Sequence, residues 1–366
     1  MIISLLLLTV IAICLITLVI VGRPRLVHDT DRIRLVVGLP QLGKKPRGKR
    51  QRRCEQSPQW RDGRFHNESE TPILTSDRGT LHTLRMFLSA KRTFKRPSSV
   101  AAVKTDLHAL PTERDLVVWL GHSSYFLQIG GTRILVDPVF YNASPVTFLS
   151  HPFKGSNPYR PSDMPDIDVL IYTHNHYDHL DHETFRKLRH RVGQVVCPLG
   201  VGASIEFWNY PSCRIAEMDW WEEITLPGGA RLTCTPARHY SRRMLGDLNK
   251  TLWASFALCH NGKRLFLGGD SGYGTHFKRI GQQCGPFDVA FLENGQYGAD
   301  WRLIHTMPEE MAQECRDINA KRIFSVHHGK FALAPHPWDE PLRNMERLRA
   351  AGIEVMPNTI GQVVEL

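Results

Sequence analysis

The sequence has no Cys-x-x-Cys pair; its eight cysteines lie scattered between Cys14 and Cys315. That spacing excludes a zinc ribbon and a redox pair. A disulfide scaffold would be shorter and denser, so the thiols read as buried side chains from a reducing compartment. No internal repeat is visible. Excess positive charge is missing from most of the chain. The net charge is +10, but residues 1–110 hold 20 Lys/Arg against 8 Asp/Glu, and the rest hold 26 against 28. A core domain at −2 argues against a basic nuclease cleft, and no nucleic-acid partner is expected.

Charge is absent altogether from Met1–Gly22, which is rich in Leu and Ile. No Lys or Arg precedes this run, and its Gly22-Arg23-Pro24 exit lacks a small-x-small site, which excludes an ordinary cleaved signal peptide. About twenty such residues span a bilayer core as a helix, so residues 1–22 are expected to be a transmembrane anchor. Eleven Lys/Arg between Arg23 and Arg53 face only Asp29 and Asp31. The positive-inside tendency then places the catalytic part of a single-pass protein in the cytoplasm, with the basic run against anionic headgroups. Residues 23–112 read as a basic linker and N-terminal arm; over residues 54–112, with short apolar pieces such as Leu81–Leu88, a partly ordered arm with a short helix or two packed on the main domain is expected.

From Leu116 onward the pattern changes. Short runs rich in Val, Ile, Leu and Phe recur: Leu116–Leu120, Tyr125–Ile129, Arg133–Val136, Val169–Tyr172, Gln194–Cys197, Arg231–Thr235, Leu252–Cys259, Arg264–Leu267, Asp288–Leu292, Arg322–Val326 and Ile353–Met356. Bounded by Gly, Pro, Asp or Asn, they read as buried strands. Helical spacing appears in Glu183–Arg191, Pro308–Ile318 and Pro341–Ala351. The combination predicts two sheets covered by helices, an α/β or α+β domain over residues 113–366.

Within it, Thr173-His174-Asn175-His176-Tyr177-Asp178-His179-Leu180-Asp181 packs three imidazoles and two carboxylates just after an apolar run. Imidazole suits zinc or iron, and carboxylate widens the choice. Three more candidates share the same placement. His239, Asp270 and His327 each sit just past the carboxyl end of an apolar run, where α/β structures collect active sites. Two ions are expected: His174, His176 and His239 on the first; Asp178, His179 and His327 on the second; Asp270 bridging. Asp137, which ends Arg133–Val136, is a candidate to orient a ligand histidine from behind.

These residues resemble the metallo-β-lactamase superfamily. Trp119–Ser123, Asp219–Glu223, Thr235–His239, Leu252–Phe256, Gly269–Tyr273 and His327–Leu333 narrow the resemblance to phospholipases D that hydrolyse N-acylphosphatidylethanolamine, and to their bacterial relatives. The resemblance covers about residues 110–360. It implies an αββα sandwich and two zinc ions, with iron or manganese as substitutes. It also implies hydrolysis of a glycerophospholipid to N-acylethanolamine and phosphatidate by a hydroxide held between the ions. Asp178 and His305 are the implied catalytic residues, His305 as an acid or phosphate contact, and His122 matches a family position that either lines the site or packs behind it. Implied partners are the phospholipid and the membrane, with a homodimer left open. A lactone or soluble phosphodiester is the alternative substrate. The chain departs from the lipase at Leu292–Gly298.

Overall fold

Alternate residues of the apolar runs bury on opposite sides of two sheets, which is why the runs read as nearly continuous. The computed structural model describes residues 25–29, 32–36, 39–76, 96–145 and 150–366. A hairpin of β1 (Arg25–Asp29) and β2 (Arg32–Val36) precedes helix α1 (Gly48–Glu55) and the short hairpin β3 (Trp60–Arg61) and β4 (Arg64–Phe65). The expected anchor Met1–Gly22 and the stretch Leu81–Leu88 lie outside the described residues. Among the described residues no helix is long and apolar enough to cross a membrane.

The first sheet contains β5 (Leu116–Trp119), β6 (Tyr125–Ile129), β7 (Thr132–Val136), β8 (Ile167–Ile171), β9 (Val192–Pro198) and β10 (Ile215–Met218). The second contains β11 (Glu223–Thr225), β12 (Arg231–Thr235), β13 (Ser255–His260), β14 (Lys263–Leu267), β15 (Phe287–Glu293), β16 (Ala320–Val326) and β17 (Glu354–Val355). Strand β18 (Val363–Glu365) returns to the first sheet, antiparallel to β5. The orders are β10-β9-β8-β7-β6-β5-β18 and β11-β12-β13-β14-β15-β16-β17. In each sheet one half is parallel and the other antiparallel, the change falling at β7 and at β14. Tips of parallel neighbours therefore open at the same end.

Between the sheets lie Val117, Leu127, Val136, Val169 and Ile171 of one, against Leu232, Phe256, Leu267, Phe291 and Phe324 of the other. Tyr125 stacks on Phe291 across this interface, ring centroids 4.4 Å apart. The intervening residues face helices. Phe126, Leu135 and Leu170 pack under α2 (His182–Leu188) and α3 (Gly202–Phe207). Phe266, Ala290 and Ile323 pack under α4 (Thr275–Gln283), α5 (Met311–Asp317) and α6 (Glu340–Ala350). This is the expected αββα sandwich. Strands β10, β11 and β18 escaped the sequence reading because they are short and partly exposed edge pieces.

Part of the arm packs on the main domain. Arg50 pairs with Glu206 and Glu217, and Arg53 with Glu222. Cys54 and Phe65 are fully buried in the main core, so the described residues 39–76 dock on the folded body.

Candidate metal centre

The metal-ligand candidates occupy loops at strand tips: His174 after β8, His239 after β12, Asp270 after β14 and His327 after β16. Space rather than backbone freedom explains the two glycines before Asp270. A Cβ on Gly268 would stand 2.3 Å from the Phe291 carbonyl oxygen, and one on Gly269 2.7 Å from that of Ala254. Asp137, His122 and His327 all have positive φ, at 41°, 56° and 67°. Such conformations cost side-chain-bearing residues on the order of 1–3 kcal/mol each and collect at functional sites.

Two clusters meet at Asp270. One joins His174, His176, His239 and Asp270; the other joins Asp178, His179 and His327 with His122. In the first, His174 Nε2 and His239 Nε2 lie 2.9 and 3.1 Å from His176 Nδ1. One ring nitrogen cannot hydrogen-bond both at once. Three converging nitrogens instead approximate the edges, about 3.3 Å, of a tetrahedron around a cation with bonds of about 2.0–2.1 Å. In the second, His327 Nε2 lies 3.3 Å from Asp270 Oδ2 and 3.4 Å from Asp178 Oδ2. His179 Nε2 is 3.1 Å from Asp270 Oδ1, yet both atoms are buried without a hydrogen bond of proper geometry. Unsatisfied buried donor-set atoms of this kind fit a cation site, and the oxygen and nitrogen donors suit zinc, iron or manganese.

The far nitrogens of these rings are tied down. His179 Nδ1 is 2.7 Å from Asp137 Oδ2, and the same carboxylate accepts from Thr173 N and Oγ1. His239 Nδ1 donates to the Ile304 carbonyl at 2.8 Å. Asp137 thus stands behind His179. His122, fully buried, lies 3.1 Å from Asp178 Oδ2 and stays out of the cavity lining. His305 does line the cavity, 5.1 Å from His239 ring to ring.

Burial and neighbouring imidazoles hold His174 well below the ordinary histidine range, and burial pushes His176 down to about 4. Burial dominates His239 too, keeping it well below that range and outweighing Asp270. Burial also opposes charge on His179 and His327, but here the carboxylates win. Asp270, Asp178 and Asp137 hold His179 well above the ordinary range, while Asp270, Asp178 and Glu293 raise His327 to about 10.

Three residues went unread in the sequence. Glu293 ends β15 beside His305 and His327, obeying the same strand-tip rule as the ligands. Tyr240 lines the cavity next to His239. Arg243 is buried with its guanidinium 4.1 Å from the Tyr177 ring centroid, donating to the Gln41 and Asn175 carbonyls. Burial lowers it to about 10. The arm also reaches the site, since Asn67 hydrogen-bonds both the backbone N–H and the carbonyl of His239.

A family model for the beta-lactamase superfamily domain matches residues 132–328. Protein Rv0906 of Mycobacterium tuberculosis is 38% identical over 306 residues, 81% of this chain and 80% of that protein. The N-acyl-phosphatidylethanolamine-hydrolyzing phospholipase D 1 of Caenorhabditis elegans is 30% identical over 231 residues, 59% of this chain and 64% of its own. The crystal structure of CmlA, a diiron beta-hydroxylase from Streptomyces venezuelae, superposes with a TM-score of 0.55 at 21% identity. That superposition covers 70% of this chain and 55% of CmlA, and it is a likeness of fold.

Proposed function

This chain belongs to the metallo-β-lactamase superfamily as a metal-dependent hydrolase, and from that premise we propose that it is a phosphodiesterase of the phospholipase D type. Its substrate is a glycerophospholipid, N-acylphosphatidylethanolamine by resemblance to the nematode enzyme. The observation that carries the reading is the shape of the site. The imidazole and carboxylate nest lies in a cavity of about 880 Å³ that is also lined by Leu42, Ile73, Leu74, Leu245, Trp301 and Leu333. Leu245 is 87% exposed at this lining. Apolar side chains there suit acyl chains, and the nest suits a phosphodiester.

His174, His176 and His239 would hold one cation and Asp178, His179 and His327 a second, with Asp270 beside both; the donor set suits zinc, iron or manganese. When bound, such a pair lowers the pKa of a water and neutralises charge on a phosphoryl group. The chain does the rest. Burial keeps the first three imidazoles neutral and ready to ligate, while Asp137 and His122 fix the directions of His179 and Asp178. Arg242 lines the cavity without an ion pair among the described residues and offers its charge to the phosphate. His305 faces the cavity for contact with the phosphate or exchange of a proton.

The test incubates zinc-loaded full-length protein with vesicles containing N-acylphosphatidylethanolamine, and separately with a lactone and a soluble phosphodiester. Release of N-acylethanolamine and phosphatidate, measured by mass spectrometry, is the expected result. Turnover of the soluble compounds with intact lipid would refute the substrate assignment.

A further inference from the structure

Glu293 belongs to a group with Asp270, His305 and His327 whose donor atoms lie close enough to hold a cation. Its hydrogen bonds assign it a different task. Oε1 accepts from the backbone N–H groups of Ser271 at 3.2 Å and Thr306 at 2.9 Å. Oε2 accepts from His305 Nδ1 at 2.7 Å and His327 Nδ1 at 3.1 Å. A carboxylate has about four lone-pair directions, and here each one meets a donor. Glu293 is 3% exposed, so no water replaces a lost partner cheaply. Ligation by Glu293 would strip one of these donors of its acceptor.

We infer that Glu293 is a positioning residue that keeps a proton on Nδ1 of both His305 and His327, turning both Nε2 atoms towards the centre. For His327 this secures the lone pair that faces Asp270 and Asp178. For His305 it orients the ring, stacked 5.4 Å from that of His327, so that the cavity-facing nitrogen is Nε2. A single oxygen thus couples a metal-ligand histidine to the histidine that meets the substrate. The ligand half rests on the reading of His327 as a cation ligand; the tautomer half does not.

Glu293→Gln separates positioning from packing because it preserves volume. A carboxamide has one accepting oxygen and one donating nitrogen. Its NH₂ must face either the Ser271 and Thr306 N–H groups or the two imidazole Nδ1 atoms, and neither arrangement preserves all four bonds. In chelator competition with zinc alone, the variant should bind the second ion about 10- to 100-fold more weakly and the first normally. Wild-type affinity for both ions, in a preparation where His327→Ala does lose the second, overturns the inference and leaves the proposed hydrolase intact. If His327→Ala retains both ions, the ligand assignment fails instead. Imidazole ¹⁵N shifts of the zinc-loaded wild-type chain give a readout that does not depend on folding of the variant. Protonated Nδ1 on both rings is expected, and a bare Nδ1 on either refutes the assignment.

Discussion

Asp137 Oδ2 and His179 Nδ1, 42 residues apart in the chain, lie 2.7 Å apart in the fold. They sit just beyond the tips of β7 and β8, neighbouring parallel strands whose register brings Val136 opposite Ile171. The same carboxylate takes the backbone N–H of Thr173, the residue that begins the metal motif. Asp137→Asn cannot accept from all three donors. Its affinity for the second zinc should fall about 10- to 100-fold, read by chelator competition; equal affinity in variant and wild type would show that the contact is incidental.

Asp270 belongs to the first cluster and lies 3.1 Å from His179 Nε2 and 3.3 Å from His327 Nε2 of the second. Asp270→Asn should therefore bind fewer than two ions per chain by metal analysis and lose about 10- to 100-fold in lipid hydrolysis. His176→Ala should lose only the first ion. A fully active and fully loaded Asp270→Asn would contradict the two-ion arrangement.

Metal loading should release protons unevenly. At neutral pH, His174 and His239 are held well below the ordinary range and His176 at about 4, so the first ion displaces no proton from them. His327, raised to about 10, and His179, held well above the ordinary range, carry protons that ligation must expel. The apparent affinity for the second ion should rise with pH up to about 10. Calorimetry in buffers of different ionisation enthalpy reads this directly, and buffer-independent heats for both ions would contradict it.

Lys330 is fully buried, its Nζ donating to the Leu120 and Val139 carbonyls, and burial lowers it to about 7. Between about pH 7 and its ordinary value of 10.5, the unfolded chain binds a proton that the folded chain lacks. Folded stability therefore rises with pH in that window, by up to about 1.4 kcal/mol per unit. From pH 7 to 9 the wild type should gain on the order of 2 kcal/mol relative to Lys330→Met in urea unfolding. Parallel pH slopes would show that the folded protein keeps the charge.

Arg50 is the partly buried cation facing Glu217, whose carboxylate also accepts from Gly200 N and Gly202 N. Arg50→Ala leaves that carboxylate without its counter-charge and should destabilise the domain by about 3 kcal/mol. Arg47→Ala, at an exposed position without an ion pair among the described residues, should change stability by less than about 0.5 kcal/mol. Equal midpoints for the two variants would mean that the arm adds nothing to the body.

Much of the fold was legible because its strands are buried on both faces. Tyr125–Ile129 and Arg231–Thr235 match β6 and β12 to the residue. Leu252–Cys259 was read too early: Leu252 and Ala254 donate their N–H groups to the Leu199 and Thr173 carbonyls, bracing the metal loop before β13 begins at Ser255. Where the arm docks was hidden because its composition is basic and polar. Its partners, Glu206, Glu217, Glu222 and His239, lie far along the chain, and no local pattern reveals a pairing at that distance.

By itself the sequence determined the donor chemistry: which imidazoles and carboxylates exist, how His174 to His179 are spaced, and that His239, Asp270 and His327 end apolar runs. Only the tertiary structure decided how the tips lie together, how near Asp270 comes to His179 and His327, and that Glu293 stands behind His305 and His327. The reason is physical. Residue type and strand periodicity are local properties, whereas the direction of a lone pair depends on which strands neighbour one another and on what packs behind each ring.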